Sequence, residues 1–376
     1  MKYCKKCLQP DTRPNIKFNT EGVCYACLYE EEKSKIDWKA REAELKSIAE
    51  WAKSKNRIYD CVVGVSGGKD STYQAFYAKE KLGLNVLLVN NEPDCMTDIG
   101  KKNIENLINH GFDIIKIRTN PNKLRLLTKD AFYKYGNPIK PSEYSLWCSA
   151  YKIALKFDIP LIIQGENAAL TLGLENGLGR DGNALNVNEG NTLAGGNAKD
   201  LLIDGVDMKD LYFYDFPKKE EFSNKDIRGI YLQYYAKEWS QVQNADFSIA
   251  RGLLGRANEN LHDIGRYRRY TALDSDMQIL NQMLKYLKFG FGFATDEACY
   301  DIREGRLSRE DAIWLVQQYD GKCGEKYIQE FCDYIEISEE EFWRVVDNFV
   351  NKELFFKDKV TGKWIPKFKV GEDFIV

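Results

Sequence analysis

Two stretches carry residues whose types and spacing can do chemistry. The first is "GVSGGKDST", Gly64 to Thr72. A short apolar run precedes it and a helix-like run follows, which is how a phosphate cradle is built. Gly67 and Gly68 let backbone N–H groups come close to phosphate oxygens, because no Cβ intervenes. Ser66 and Ser71 can donate hydroxyls to the β and γ phosphates, Lys69 adds charge, and Asp70 can help hold Mg²⁺. The helix beginning near Asp70 points its positive end at the same group. The loop is not a Walker A motif: Asp70 follows the lysine, and Gly64 lies four residues before Gly68. It is not GxGxxG either. The second stretch is a pair of CxxC knuckles, Cys4/Cys7 and Cys24/Cys27, with sixteen residues between them. That spacing fits a tetrahedral Cys₄ zinc ribbon, with a redox dithiol and an iron–sulfur cluster as the competing readings. A redox dithiol needs only one pair. Four cysteine ligands leave no open coordination position, so Zn²⁺ is expected to be structural, and Met1 to about Tyr29 holds too little apolar content to fold without it.

Elements to position these residues are legible. A zinc ribbon is expected over 1–30 and an amphipathic connecting helix over 31–56, with Trp38, Leu45, Ile48 and Trp51 at helical spacing. From Tyr59 apolar strands ("YDCVVGV", "NVLLVNNE", "DIIKIRTN", "IPLIIQGEN") alternate with amphipathic helices. This predicts an α/β core over 57–215 with a parallel sheet covered on both faces and its ligands beyond the strands' carboxyl ends. Two such ends add candidates. "LLVNNE" brings Asn90 toward the adenine or ribose, and "IIQGEN" brings Gln164, Gly165, Glu166 and Asn167 to face the nucleotide. The Gly- and Asn-rich stretch 171–210 follows a site strand directly and is expected to be a lid. Residues 216–376 read as mostly helical, with cap signals at Ser308/Asp311 and Ser338/Glu341.

The totals bound the partners. Lys+Arg 54 against Asp+Glu 57 leaves a net charge of −3, so a nucleic-acid partner has no general basic surface to meet. No apolar run is long enough to span a bilayer, and the first residues lack the apolar segment of a signal peptide, so no membrane partner and a cytoplasmic location are expected. Four of the ten cysteines fall in the first 27 residues, a pattern that favours metal over disulfides in such a compartment.

The loop matches SGGxDS, the pyrophosphate-binding loop of ATP pyrophosphatases. Gripping pyrophosphate as the leaving group puts cleavage between the α and β phosphorus, so the substrate is adenylated rather than phosphorylated. Beyond the loop, "CKKCLQPDTRPNIKFNTEGVCYACL", "IIQGEN", "GIYLQYYAKEW" and "KFGFGFATDEA" together resemble the N-acetyl sugar amidotransferases of bacterial surface-glycan and flagellin-sugar pathways, including the pseudaminic and legionaminic acid branches. The resemblance runs in order over nearly the whole chain. It implies a pyrophosphatase-loop core of the adenine nucleotide alpha hydrolase type, with an N-terminal Cys₄ zinc ribbon and a C-terminal helical extension. It implies ATP, Mg²⁺ and structural Zn²⁺ as cofactors, and an ATP-dependent conversion of a sugar acetamido group to acetamidino through an adenylated imidate and ammonia. The sugar would be free or nucleotide-linked, and the ammonia would come from a separate glutaminase subunit. Gly64, Val65, Ser66, Gly67, Gly68, Lys69, Asp70 and Ser71 match the nucleotide loop, Gly165, Glu166 and Asn167 the second motif, and the four cysteines the knuckles. Lys69, Asp70 and Glu166 are the catalytic candidates. Phe293 stands where relatives often carry arginine. Tyr235 and Trp239 are candidates to stack on the sugar.

Three rivals fit less of the chain. A tRNA thiolase of the same loop superfamily needs basic surface and a pair of cysteines beyond the metal set; "GRYRRY" (Arg266, Arg268, Arg269) is its best support, and Cys148 has no near partner. An amidation of the NAD or GMP synthetase type does not account for the ribbon or the long helical region. A zinc-ribbon adaptor has no use for Ser, Lys and Asp together in the loop.

Overall fold

A computed structural model describes residues 1–175, 177–190, 193 and 195–375. In chain order the helices and strands are α1 (Tyr25–Glu32), α2 (Trp38–Ser54), β1 (Cys61–Gly64), α3 (Lys69–Phe76), β2 (Val86–Asn91), α4 (Asp98–Asn109), β3 (Asp113–Ile117), α5 (Pro121–Tyr135), α6 (Lys140–Phe157), β4 (Leu161–Gln164) and α7 (Ala168–Thr171). There follow α8 (Lys219–Asn224), β5 (Arg228–Tyr231), α9 (Leu232–Tyr235), α10 (Gln241–Ile249), α11 (Met277–Phe289), α12 (Phe293–Arg303, with Gly292 at its N-cap), α13 (Arg309–Tyr319), α14 (Glu325–Ile335), α15 (Glu339–Phe349) and the hairpin β6 (Phe355–Lys357) and β7 (Trp364–Pro366).

Five strands form a parallel sheet in the order β3-β2-β1-β4-β5. β1 and β4 run at its centre with side chains buried on both faces, as covered parallel strands require. One face packs on α2 and α3 through Leu45, Ala52 and Phe76; the other packs on α6 through Ala150, Tyr151 and Ala154. The strand order reverses between β1 and β4, so a crevice opens at their carboxyl ends. The Ser66–Ser71 loop lies at that crevice.

The core reaches beyond the expected limit at residue 215. Its fifth strand is Arg228–Tyr231, paired with β4, and α10 packs on α3. A four-residue strand inside "RGIYLQYY" carries too short a pattern to stand out. The expected lid is also corrected: its described residues wrap the side of the core. Along β5, Ala184 N–H donates to Gly229 O and Gly182 O accepts from Tyr231 N–H, and Leu193, Ala198 and Leu201 pack against α5 and α6, burying an apolar set that ties the segment down. Positions 176, 191, 192 and 194 of that stretch lie outside the described residues. Of its described residues, Leu172 lines the larger cleft cavity.

The C-terminal helices form their own core through Leu284, Phe331, Phe342 and Val346. Caps fix their ends: Ser308 Oγ accepts from Asp311 N (3.0 Å) and Ser338 Oγ from Glu341 N (3.1 Å). Gly292 stands at the N-cap of α12 and has no side chain to cap it. Asp320, at the end of α13, supplies one by accepting from the N–H groups of Gly292 (2.8 Å) and Ala294 (2.9 Å). No helix among the described residues is long and apolar enough to cross a membrane.

Candidate active site

The loop is held from beneath and from both sides. Asn90 Nδ2 donates to Val65 O (2.8 Å), Asn103 Nδ2 to Gly67 O (2.9 Å) and Ser248 Oγ to Lys69 O (2.8 Å). Gly67 takes a left-handed φ of +88°, and a Cβ there would stand 2.8 Å from Gly100 O. Glycine is therefore required by conformation and by space. Lys69 is 5% exposed and its Nζ meets Asp70 Oδ2 at 2.5 Å; Asn244 Nδ2 donates to Asp70 Oδ1 (2.9 Å). Ser66 N–H donates to Ser71 Oγ (3.3 Å), so the two serines share one end of the cradle. The α3 amino end opens at Gly68 with no side-chain cap. Free N–H groups, a lysine and two hydroxyls together suit a polyphosphate.

Two cavities meet over this loop. One, of about 200 Å³, is lined by Gly64, Ser66, Ser71, Gln74, Trp147 and Gln164. The other, of about 270 Å³, is lined by Lys69, Tyr270, Asp274, Phe293, Glu297 and Tyr300. Ser66, Gly68, Asp70 and Glu166 belong to both walls. A nucleotide in the first cavity and an acceptor in the second would thus meet at the loop.

Glu166 stands at that meeting point. Desolvation, then the charge of Asp70, push its carboxyl up to about 7, against the pull of Lys69 and a hydrogen bond from Tyr300. Its surface is open to the cleft, while protein surrounds it on the other sides. Water reaches the carboxyl through the open cleft and moderates that rise.

The second cavity's far wall comes from α12 and from residues 270–274. Thr271 Oγ1 donates to Glu297 Oε1 (2.9 Å), and Glu297 Oε2 is buried with no partner among the described residues. Burial raises the Glu297 carboxyl, opposed by Arg266 and Arg268. Burial pushes Asp274 up to about 6. Asp296 is held below the usual range against its burial by Arg13 and Lys285; Lys285 Nζ lies 2.7 Å from it. Arg13 belongs to the ribbon, which therefore reaches the cavity wall. Arg266 lies over the Phe293 ring at 4.1 Å, so a cation backs the aromatic face at that position.

The four cysteine Sγ atoms lie within 4.8 Å of one another and all are buried. Cys4–Cys27 and Cys7–Cys24 separations are 3.9 and 3.7 Å. A tetrahedral Zn²⁺ with Zn–S bonds of about 2.3 Å sets its sulfurs about 3.8 Å apart. The cluster fits that ion. Backbone N–H groups of Cys24 and Gln9 point at Cys4 and Cys7 Sγ (3.2 and 3.4 Å), as knuckle amides do toward thiolates.

Of the residues singled out by sequence, Gly64, Ser66, Gly68, Asp70, Ser71, Gly165 and Glu166 line the first cavity and Lys69 the second. Val65 is buried under the loop, bonded to Val89 O. Asn90 and Asn167 line neither cavity. Asn90 straps the loop, and Asn167 Nδ2 donates to Gly179 O (2.8 Å) and Asp181 O (3.0 Å). Tyr235 and Trp239 are 6% and 5% exposed and pack in the core, so neither meets the acceptor cavity. Tyr270, Phe293 and Tyr300 do. Sequence reading missed Trp147 and Gln74, which look like ordinary core positions of their helices. It also missed Glu297 and Tyr300, whose signal was acidic and hydroxyl groups on the buried face of "ATDEACY".

The "GRYRRY" arginines turn inward. Arg266 and Arg268 are 0% and 5% exposed, Arg268 meets Asp301 at 2.5 Å, and Arg269 donates to Arg256 O (2.8 Å) and to Glu259 O. They offer no surface to RNA. No cysteine lines either cleft cavity, and Cys148 Sγ donates to Asp215 O (3.2 Å).

Residues 264–369 match the family model described as LPS biosynthesis protein WbpG-like, C-terminal domain. That span includes α11 to α15 and the hairpin, hence the far wall of the second cavity. Among solved structures the chain is similar to NAD+ synthetase from Burkholderia pseudomallei, at 14% identity and a TM-score of 0.28, over 60% of this chain and 94% of that one. A likeness that loose carries no inference about chemistry. No curated protein matches the chain.

Proposed function

We propose that this chain is an ATP-dependent sugar amidotransferase of surface-polysaccharide biosynthesis. It converts an acetamido to an acetamidino group with release of AMP and pyrophosphate. The observation that carries this reading is the pair of cavities joined over the Ser66–Ser71 loop. ATP would occupy the first, with its β and γ phosphates on the loop, and Asp70 would help hold the Mg²⁺ that neutralises their charge. The N-acetyl sugar occupies the second, its hydroxyls on Asp274 and Glu297 and its apolar face on Phe293. The acetamido oxygen attacks the α phosphorus and pyrophosphate leaves to the loop, whose lysine and N–H groups take up the charge. The WbpG-like description of residues 264–369 agrees with a sugar acceptor. Ammonia from a separate glutaminase subunit completes the reaction. The inward-turned arginines and the absence of a cavity cysteine set the tRNA thiolase alternative behind this one.

Incubation with MgATP, ammonium and a panel of N-acetylated sugars, free and nucleotide-linked, tests the proposal. AMP, pyrophosphate and a sugar in which NH replaces O are expected. ADP and phosphate as products would overturn it.

Glu166 is placed to take the proton that the attacking nitrogen sheds. With its carboxyl near 7, it is a neutral acid at lower pH and the working base above. At a fixed concentration of free NH₃, the rate is expected to rise with pH through one ionisation near 7. Glu166→Gln removes that limb and slows amidine formation by about 10²–10⁴-fold, the usual worth of a general base. A variant with an unchanged pH profile would assign the base elsewhere.

A further inference from the structure

Three voids adjoin through shared wall residues, and the outer two are bounded by the ribbon helix α1. The outermost, of about 340 Å³, opens among Ser34, Trp38, Lys237, Glu238 and Arg306. The innermost is the acceptor cavity. Between them is a neck of about 20 Å³, which holds one water-sized molecule. The neck shares Glu30, Lys33, Trp239, Ser240 and Glu304 with the outer void, and Gln241 and Tyr300 with the acceptor cavity. One wall of the neck is Tyr29, 4% exposed, whose hydroxyl lies near the Arg41 guanidinium yet makes no well-formed hydrogen bond among the described residues. Buried hydroxyls are rarely left unpaired, and a small hydrogen-bonding guest in the neck would pair it.

We propose that this series of voids is the inlet for ammonia. The proposal rests on the amidotransferase reading and adds the nucleophile's path to it. A sugar or nucleotide cannot pass a neck one molecule wide. Once ATP and the sugar fill the two cleft cavities, the nucleophile needs a third way to the imidate carbon. The neck provides it, ending at Tyr300, which lines the acceptor cavity together with Glu166. There the nitrogen of ammonia bonds to the imidate carbon. The C–O bond to AMP breaks with its electron pair leaving on AMP, and the nitrogen yields one proton to the Glu166 carboxylate. The product is the amidinium.

The neck also accounts for the ribbon's placement. Helix α1 holds the second knuckle itself, with Cys24 at its N-cap and Cys27 in its first turn, so the cysteine cluster sets where Tyr29, Glu30 and Lys33 stand and with them the bore of the passage.

Two readouts separate this proposal from the reading beneath it. Sugar-dependent exchange of labelled pyrophosphate into ATP reports adenylation without ammonia. Steady-state kinetics with ammonium chloride reports the second step. Glu30→Trp, which bulks a partly exposed residue at the outer end of the neck, is expected to leave exchange unchanged and raise KM for ammonium by about tenfold or more. Tyr29→Phe removes the hydroxyl at nearly constant volume. It is expected to raise the same KM roughly twofold to tenfold, the worth of one hydrogen bond. Normal exchange with an unchanged ammonium KM in both variants would overturn the inlet alone. Absence of exchange in the unmodified protein would overturn the amidotransferase reading and the inlet with it.

Discussion

Gly67→Ala is expected to cut sugar-dependent pyrophosphate exchange by about a hundredfold while costing folding only about 1–2 kcal/mol. The folding cost is that of holding an L-residue in left-handed backbone. The activity loss follows from the contact geometry. The new Cβ would stand 2.8 Å from Gly100 O, and Gly100 itself touches the next layer, because a Cβ on it would stand 2.8 Å from Asp274 Cα. Loop, α4 and the acceptor wall are thus stacked backbone on backbone, with no flexible side chain between them to yield. Thr97 ties the same layers, its N–H donating to Asp274 O (3.1 Å) and its hydroxyl to Leu273 O. The loop has to move instead, and a displacement of about 1 Å at a reacting centre costs about a hundredfold. Gly68→Ala is the control for folding stability, although its Cβ too would face the phosphates. Its φ of −92° is open to any residue and its nearest neighbour is the Ser66 hydroxyl at 3.3 Å. Urea melts and exchange assays on both variants decide the matter. Equal losses of stability would remove the backbone argument.

The contrast between those two glycines marks how much the sequence can tell. Both were readable as phosphate-loop glycines from type and spacing. Which one is conformationally required depends on Gly100 and Asp274, about 30 and 200 residues away, and no local pattern carries that. The same holds for the site as a whole. The loop, Glu166 and the knuckles are short, local arrangements with their own chemical logic, and they were legible. The acceptor wall was not, because Tyr270, Glu297 and Tyr300 come from a loop and a helix whose pattern is that of ordinary buried structure. Burial of Tyr235 and Trp239 was hidden for the converse reason: an aromatic cluster at and just after a short helix reads alike whether it faces a ligand or a core. The β-strand at Arg228–Tyr231 escaped because four residues hold less than one confident period, and because a long Gly- and Asn-rich stretch separates it from the strand it pairs with.

Removing the metal is expected to have the largest structural effect, and to reach the active site. Ribbon residues 1–30 bury Leu8, Val23 and Ala26, an apolar set too small to repay the ordering of the segment. Binding of structural Zn²⁺ is worth about 10–16 kcal/mol in isolated zinc modules, as large as the whole stability of an average domain. Its loss therefore unfolds the ribbon rather than loosening it. The consequence does not stop there. Ala298 and Cys299 of α12 and Ala312 and Val316 of α13 pack directly on the cysteine cluster. Arg13 pairs with Asp296, and Thr12 Oγ1 donates to Phe289 O (2.5 Å). Helix α12 carries Asp296, Glu297 and Tyr300 into the acceptor cavity on its other face, so a melted ribbon leaves that wall without backing. Cys24→Ser, or stripping with a chelator, should abolish stoichiometric zinc. It should also expose amides of residues 1–35 and 293–319 to hydrogen exchange while those of β1, β2 and β4 stay protected. Sugar-dependent exchange of pyrophosphate should fall with the wall, although no cysteine touches the reacting atoms. Metal-free protein with undisturbed protection in α12 would show that the helix holds its place by Asp320 and its own packing, and that the ribbon serves only itself.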